Sequence, residues 1–244
     1  MMLTILDSFS DGPLDWVKQA FIPLENGDRS ALSMTRLTSP EGARELLSTY
    51  LDNFPATEHR ARVSMWSQWY FAKLLPSWTV VNLLCNWQLP IEPDRVFLRL
   101  GADGLPVQFL LAEPGEAVVK TGSLARFVNM IDSHLAPVCH SLAMISGLKP
   151  GLYWNNAAIR VGYGITQAAS TQADISDGWA LLAARQLDDG RKNPLFEPVR
   201  HEIPGDETSA RYRKQCCLRN ELCDHEICPS CPLLLAEKRK RVTL

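Results

Sequence analysis

Cys216, Cys217, Cys223, Cys228 and Cys231 crowd together near the end of this 244-residue chain, whereas Cys85 and Cys139 stand alone in apolar surroundings. The pair Cys228 and Cys231, two residues apart, lets two thiolates converge from one tight turn, and Cys216-Cys217 upstream can complete a set of four soft ligands. Four thiolates suit zinc or an iron–sulfur centre and little else. Adjacent cysteines in an extended chain point their side chains to opposite sides. That is awkward for a single tetrahedral zinc, while a binuclear centre presents ligand positions over a wider span. Pro229 and Pro232 follow directly on Cys228 and Cys231, stiffening the loop and removing a backbone donor at each point. A structural zinc clasp that staples the C-terminus to the core is the competing reading, and spacing leaves both open. In a reducing compartment such crowding points to metal rather than to disulfides.

Other candidates near the cysteines carry plainer alternatives. His225 lies inside the cysteine loop and could replace a thiolate, although four cysteines already complete a set. Arg211, Arg213, Lys214 and Arg219 flank the first pair; they could raise a redox potential, attract an acidic partner or simply solvate the chain. His134 and His140 are six positions apart and do not share a helix face, which speaks against a two-histidine site. Gly162-x-Gly164 lacks the third glycine and the preceding strand of a dinucleotide fingerprint.

The elements that must position these groups are mostly helical. Ser39-Pro40-Glu41 has the signature of a helix start, and Leu46, Leu47, Tyr50, Leu51 and Phe54 repeat at helical spacing, predicting a helix from about Pro40 to Asn53. Val63, Trp66, Tyr70 and Leu74 form one stripe that Pro76 is expected to stop. Ser77 then caps a third, almost wholly apolar helix through Val80, Val81, Leu83, Leu84 and Trp87, expected to be central and buried. The period changes to alternation at Val96, Leu98 and Leu100, and Asp103-Gly104 separates these from the run at 107–111, predicting a β-hairpin. Helical spacing returns from Ser123 through Leu124, Phe127, Ile131, Leu135, Val138, Leu142 and Ile145 to Gly147, with a kink expected at Pro137. Tyr153 to Gln167 and Gly178 to Leu187 are shorter helices, and 188–194 is a turn-rich connector. The fold class is therefore α+β: a predominantly helical domain with a small antiparallel β-sheet and a C-terminal cysteine-rich segment. We divide the chain into a core over 1–205 and a cluster-binding segment with a basic tail over 206–244.

With 46% hydrophobic residues the chain can bury a full core without a metal, so a metal site would serve chemistry or a local fold. A net charge of -2 gives no global field for nucleic acid, and only Lys238, Arg239, Lys240 and Arg241 form a local basic patch. The most apolar stretch, 71–89, is interrupted by Pro76, Ser77, Asn82 and Asn86 and falls short of the roughly 20 residues that span a bilayer. Residues 1–15 carry no basic leader, so a cytoplasmic location is expected.

The pattern Cys216-Cys217-x10-Cys228-x2-Cys231 resembles the terminal signature of the FhuF-like siderophore-iron reductases. Similar residues extend upstream: Ser64-Met65-Trp66-Ser67-Gln68-Trp69-Tyr70, Leu75-Pro76, Tyr153-Trp154-Asn155-Asn156 and Asn193-Pro194-Leu195. The chain departs from the family in having Cys223 within the ten-residue gap and thirteen residues after Cys231. The resemblance implies a 2Fe-2S cluster ligated by Cys216, Cys217, Cys228 and Cys231, with Cys223 outside the set. It also implies delivery of one electron to a ferric siderophore of hydroxamate type, received from a ferredoxin-like protein, with peripheral membrane contact allowed. Under it, Trp66 and Trp69 are candidates to line a pocket for the chelate, against the alternative of core packing. Trp154, Asn155 and Asn156 are candidates to contact chelate oxygens, against the alternative of helix capping. From a different class, the alternative to the whole reading is a zinc-stabilised module that meets protein or nucleic acid through its basic tail.

Overall fold

A computed structural model describes residues 4–25, 27–53, 58–119, 123–222 and 226–242, with the side chains of 239–242 left undescribed. After a 3₁₀ turn over Thr4–Phe9, the elements run α1 (Trp16–Ala20), β1 (Phe21–Pro23), β2 (Leu32–Ser33), α2 (Pro40–Asn53) and α3 (His59–Cys85). Next come β3 (Trp87–Gln88), β4 (Val96–Leu100), β5 (Pro106–Leu111), β6 (Glu116–Ala117) and α4 (Ala125–Asn129). A π-helical stretch over Met130–Leu135 leads into α5 (Ala136–Ser146), followed by α6 (Pro150–Ala169) and α7 (Ser176–Ala183). The chain closes with β7 (Val199–His201), β8 (Arg211–Arg213) and α8 (Pro232–Val242).

α2 has the bounds its cap and spacing predict, with Ser39 Oγ accepting from the Gly42 N–H and with Ala43, Leu46, Leu47 and Tyr50 buried. The next two expected helices are instead one. α3 passes straight through Pro76, which is buried inside it together with Ser77, the residue expected to cap a new helix. An interior proline removes one backbone bond and crowds the preceding turn, and here tertiary packing outweighs that cost. α6 runs alongside, and a Cβ on Gly164 would lie 2.9 Å from the Pro76 carbonyl oxygen, so the glycine permits close approach of the two helices at the proline. Trp66, Tyr70, Phe71, Leu74, Trp78, Val80 and Val81 bury α3 on nearly every side, as the apolar composition of its second half predicts.

The rod from Leu124 to Gly147 forms over the predicted span, and Pro137 leaves its mark as the π-helical stretch just before it. A wider turn accommodates the missing N–H without ending the helix. Gly147, at φ 71°, closes α5 in the left-handed conformation. The predicted hairpin is β4–β5, turning at Gly104 with φ 75°. The sheet it belongs to runs β1-β5-β4-β2, and its β1–β5 pair is parallel, an addition to the antiparallel sheet expected. β7 and β8 pair antiparallel, joining residues on either side of position 205. No helix among the described residues is long and apolar enough to cross a membrane.

Candidate functional site

The N-terminal half of α3 and the first turns of α6 form a seat for the cysteine segment. Ser64 donates to the Cys217 carbonyl at 2.8 Å, and Ala61 and Met65 pack under Leu222 and Leu218. Arg60 grips the Glu221 carboxylate with two nitrogens at 3.0 Å each. From α6, Asn155 Nδ2 donates to the Pro198 carbonyl at 2.7 Å, and Asn155 Oδ1 accepts from the Gln215 N–H at 3.2 Å. Asn156 Nδ2 donates to Ser67 Oγ at 2.9 Å, and Asn156 Oδ1 accepts from Arg213 Nη2. Asn155 and Asn156 are both buried, and each has both ends of its amide engaged in protein contacts. They tie α6 to the segment that carries the cysteines.

The tryptophans expected beside the substrate are dispersed. Trp66 is fully buried, stacks on Tyr70 at 5.3 Å and donates its indole N–H to the Gly104 carbonyl at 3.0 Å, a core residue with its polar atom satisfied. Trp69 stands exposed three positions on, and Trp154 is half-buried against the core. The histidines follow suit: His140 is exposed, whereas His134 is buried and takes part in a core network with Tyr70.

The loops bring the four cysteines together. Leu218, in the left-handed conformation at φ 61°, turns the chain after Cys217, and the Leu218 N–H donates to Cys216 Sγ at 3.4 Å. A second tight turn, with the Cys231 N–H donating to the Cys228 carbonyl at 2.9 Å, places Cys231 beside the first pair. The Cys217 and Cys228 side chains lie close enough to shift each other's ionisation, as do those of Cys216 and Cys231, and Cys216 Sγ donates to Asn220 Oδ1 at 3.3 Å. Cys217 and Cys231 are buried, and Cys216 and Cys228 are half-buried. No group of three or more His, Cys, Asp or Glu among the described residues converges on a single metal ion. Cys223 and His225 lie outside the described residues.

Arg213 departs from the solvated face that its flanking position suggests. It is 5% exposed, its backbone N–H donates to Ser230 at 2.8 Å, and its Nη1 donates to Gln68 Oε1 at 3.2 Å. Its Nε is buried and has no hydrogen-bond partner, and the same holds for Nε of Arg219. The Cys217 thiol is pulled down to about 5, first by its interaction with Cys228, with the Arg213 charge and the Arg219 backbone N–H adding to the effect against burial. Cys228 is pushed up by its interaction with Cys217 and by burial. Arg160, also beside Cys217, is pushed down by burial and by the Arg213 charge. Four soft donors in two pairs, buried cations beside them and two orphaned N–H donors suit a sulfur-rich, negatively charged group. The residues present fit the four-thiolate centre that the sequence leads one to expect.

Residues 64–209 match the family described as ferric iron reductase FhuF-like transporter. The chain belongs to this family. It is also 24% identical over 215 residues to the ferric siderophore reductase of Escherichia coli (strain K12), covering 84% of this chain and 80% of that protein. Within the family match fall Ser64, Ser67, Gln68, Asn155 and Asn156, the residues that seat the cysteine segment, while the cysteines lie beyond its end.

Ser64, Ser67, Gln68, Asn155 and Asn156, within the stretches that carry the family resemblance, form a cradle for the cysteine segment. Burial of Arg213 was not legible, because alternation through Arg211, Tyr212 and Arg213 places two arginines on the same side of a short strand, of which Arg213 alone is covered. The basic tail is partly anchored: Lys238 pairs with Glu202 at 3.0 Å and lies over the Tyr212 ring.

Proposed function

We propose that this chain reduces ferric siderophores, of hydroxamate type, in the cytoplasm, and that Cys216, Cys217, Cys228 and Cys231 hold a 2Fe-2S cluster for that purpose. The observation that carries the reading is the pairing of four thiols beside a buried guanidinium that has no carboxylate partner among the described residues. Membership of a ferric iron reductase family and the name of the Escherichia coli relative support the substrate class. A siderophore grips ferric iron with hard oxygen donors and holds the softer ferrous ion weakly, so one added electron releases the metal. When bound, such a cluster supplies one-electron transfer, with all-thiolate ligation favouring low potential.

The chain's own residues prepare the site. Arg213 and Arg160 keep positive charge close to Cys217, favouring thiolates over thiols and offsetting the negative charge the ligands bring. Ser64 and Asn155 fix the backbone on both sides of Cys216-Cys217, and Asn156 holds the Arg213 side chain, so the cysteine loop is anchored to buried polar groups on rigid helices. The electron must come from a reduced carrier protein of ferredoxin type; it converts ferric to ferrous iron, and the chelator leaves chemically unchanged. Purified protein should be brown, contain iron and sulfide, and, once reduced with dithionite, lose its electron to a ferric trihydroxamate with ferrous iron trapped by a ferrous-specific chelator. A colourless protein containing zinc, or a reduced protein that no ferric chelate reoxidises, would overturn the proposal.

A further inference from the structure

A cleft of about 1190 Å³ opens between α6, α7 and the β7–β8 hairpin, with Ser230 of the Cys228–Cys231 loop in its wall. That volume lies above the usual range of roughly 300–1,000 Å³ for pockets that take drug-sized molecules. It suits a larger, rounded ligand. Its walls carry two of the exposed large aromatics of the molecule, Tyr163 on α6 at 49% and Trp179 on α7 at 44%. Tyr163 is braced from behind by Trp16, with ring centres 6.4 Å apart, so its outward face is held in place.

The polar lining is balanced in sign. Arg200 and Arg211 stand against Glu197 and Glu207, and all four belong to the cleft wall. A triply anionic chelate, such as a ferric tris-catecholate, would call for a clear excess of cations. A ferric tris-hydroxamate, in which three monoanionic groups neutralise the metal, has no such need. His201, also in the wall, has its Nδ1 buried without a hydrogen-bond partner.

From the size, the aromatic walls, the balanced charge and the shared wall with the cysteine loop, we infer that this cleft seats the ferric hydroxamate chelate, with Tyr163 and Trp179 as its main contacts. The assignment rests on the reductase reading above. It also moves the substrate contacts away from Trp66, Asn155 and Asn156, which are occupied inside the protein.

The gallium(III) complex of a linear trihydroxamate, matched to the ferric complex in shape and charge but inert to reduction, tests the cleft by itself. Titrated calorimetrically into the cluster-loaded protein, it should bind, and replacing both Tyr163→Ala and Trp179→Ala should raise Kd by roughly tenfold or more, the scale of losing two aromatic contacts. Ala183→Trp, which fills the cleft from an exposed position, should do the same without removing any packing. Trp69→Ala, at an exposed tryptophan outside the cleft, should leave Kd unchanged. Visible spectrum and circular dichroism of each variant should match the parent. Equal affinity in parent, double variant and Ala183→Trp would overturn the cleft assignment, as would no binding by the parent. Ferrous trapping, run in parallel, reads the other question: gallium binding that depends on the cleft, together with no reduction of any ferric chelate, would leave the cleft standing and remove the reductase function.

Discussion

Arg126 and Arg213 are equally buried, each 5% exposed, and they are treated differently. Every nitrogen of Arg126 is spoken for: Nε donates to Asn82 Oδ1 at 2.9 Å, Nη1 to Asp177 at 2.7 Å, and Nη2 to the Asn82 carbonyl and to Asn86 Oδ1. A carboxylate supplies the opposite charge. Arg213 has two neutral amide acceptors, an Nε with none, and thiols where a carboxylate would be. A buried charge without a partner is costly. The first arginine is a closed structural unit that ties α3, α4 and α7 together; the second is half of a pair whose other half is the thiol group beside it.

The sharpest way to break this contrast is to remove the other half. Ala at Cys216, Cys217, Cys228 or Cys231, one at a time, should abolish bound iron and sulfide, because an iron missing one thiolate is open to water and to thiol exchange. Full iron and sulfide content in any one variant removes that cysteine from the set. Arg126→Met probes the closed unit, and breaking a buried ion pair costs about 3–5 kcal/mol. Denaturant unfolding should show that loss, with the visible spectrum of the folded fraction unaltered. A spectrum that changes with Arg126→Met would mean that the two arginines are not independent.

A second closed unit gives the same contrast a pH axis. The Ile91 carbonyl can only accept, so His134 carries its proton on Nδ1, bonded at 2.6 Å, and Nε2 accepts from the Tyr70 hydroxyl at 2.6 Å. Burial holds His134 down to about 4 from 6.5. The unfolded chain therefore takes up this proton more readily than the folded one. His134 contributes no penalty above pH 6.5, and stability falls as the pH drops from about 6.5 to 4, by about 3 kcal/mol in all. His134→Gln should flatten that part of the unfolding profile. An unchanged slope between pH 6.5 and 4 would place the acid sensitivity elsewhere.

What the sequence disclosed follows the same division between local and tertiary causes. α2, the β4–β5 hairpin and the end of α5 are governed by a cap, a turn dipeptide and a C-terminal glycine, and all were legible. The continuity of α3 through Pro76 was not, because the compensating contact is Gly164 on a distant helix. The parallel β1–β5 pair joins short segments with too few residues to show a period. Cysteine spacing announced a site, yet the buried cation beside it and the aromatic walls of the cleft depend on which side of a strand or short helix faces inward. Tyr163 and Trp179 carry no local signal that separates a binding wall from core packing.

Smaller in energy is the electrostatic service of Arg213. Arg213→Gln keeps hydrogen-bonding capacity and removes the charge, so an added electron becomes less favourable. The midpoint potential of the one-electron couple should move negative by on the order of tens of millivolts, since 59 mV corresponds to tenfold in equilibrium for one electron. Arg213→Lys should restore most of it. A potential indifferent to both changes would reduce Arg213 to a structural clamp and erase its difference from Arg126.

The smallest expected effect belongs to Cys223. It lies six residues after Cys217 and five before Cys228, and its charged neighbours Glu221, Asp224 and Glu226 are unlike the apolar and cationic surroundings of Cys217. The rival assignment, Cys-x5-Cys-x4-Cys-x2-Cys with Cys223 in place of Cys216, would relieve the adjacency of the first two ligands. Against it stands the side-chain pairing of Cys216 with Cys231 and of Cys217 with Cys228, which already accounts for two pairs from four thiols. A fifth thiolate would also add negative charge where Arg213 and Arg160 are the cations that the Cys217 thiol senses. Cys223→Ser should therefore keep the visible spectrum, iron content and midpoint potential of the parent, while Cys216→Ser loses the cluster. The reverse result would replace Cys216 by Cys223, seven residues further along the chain, and leave Arg213 opposite a different pair.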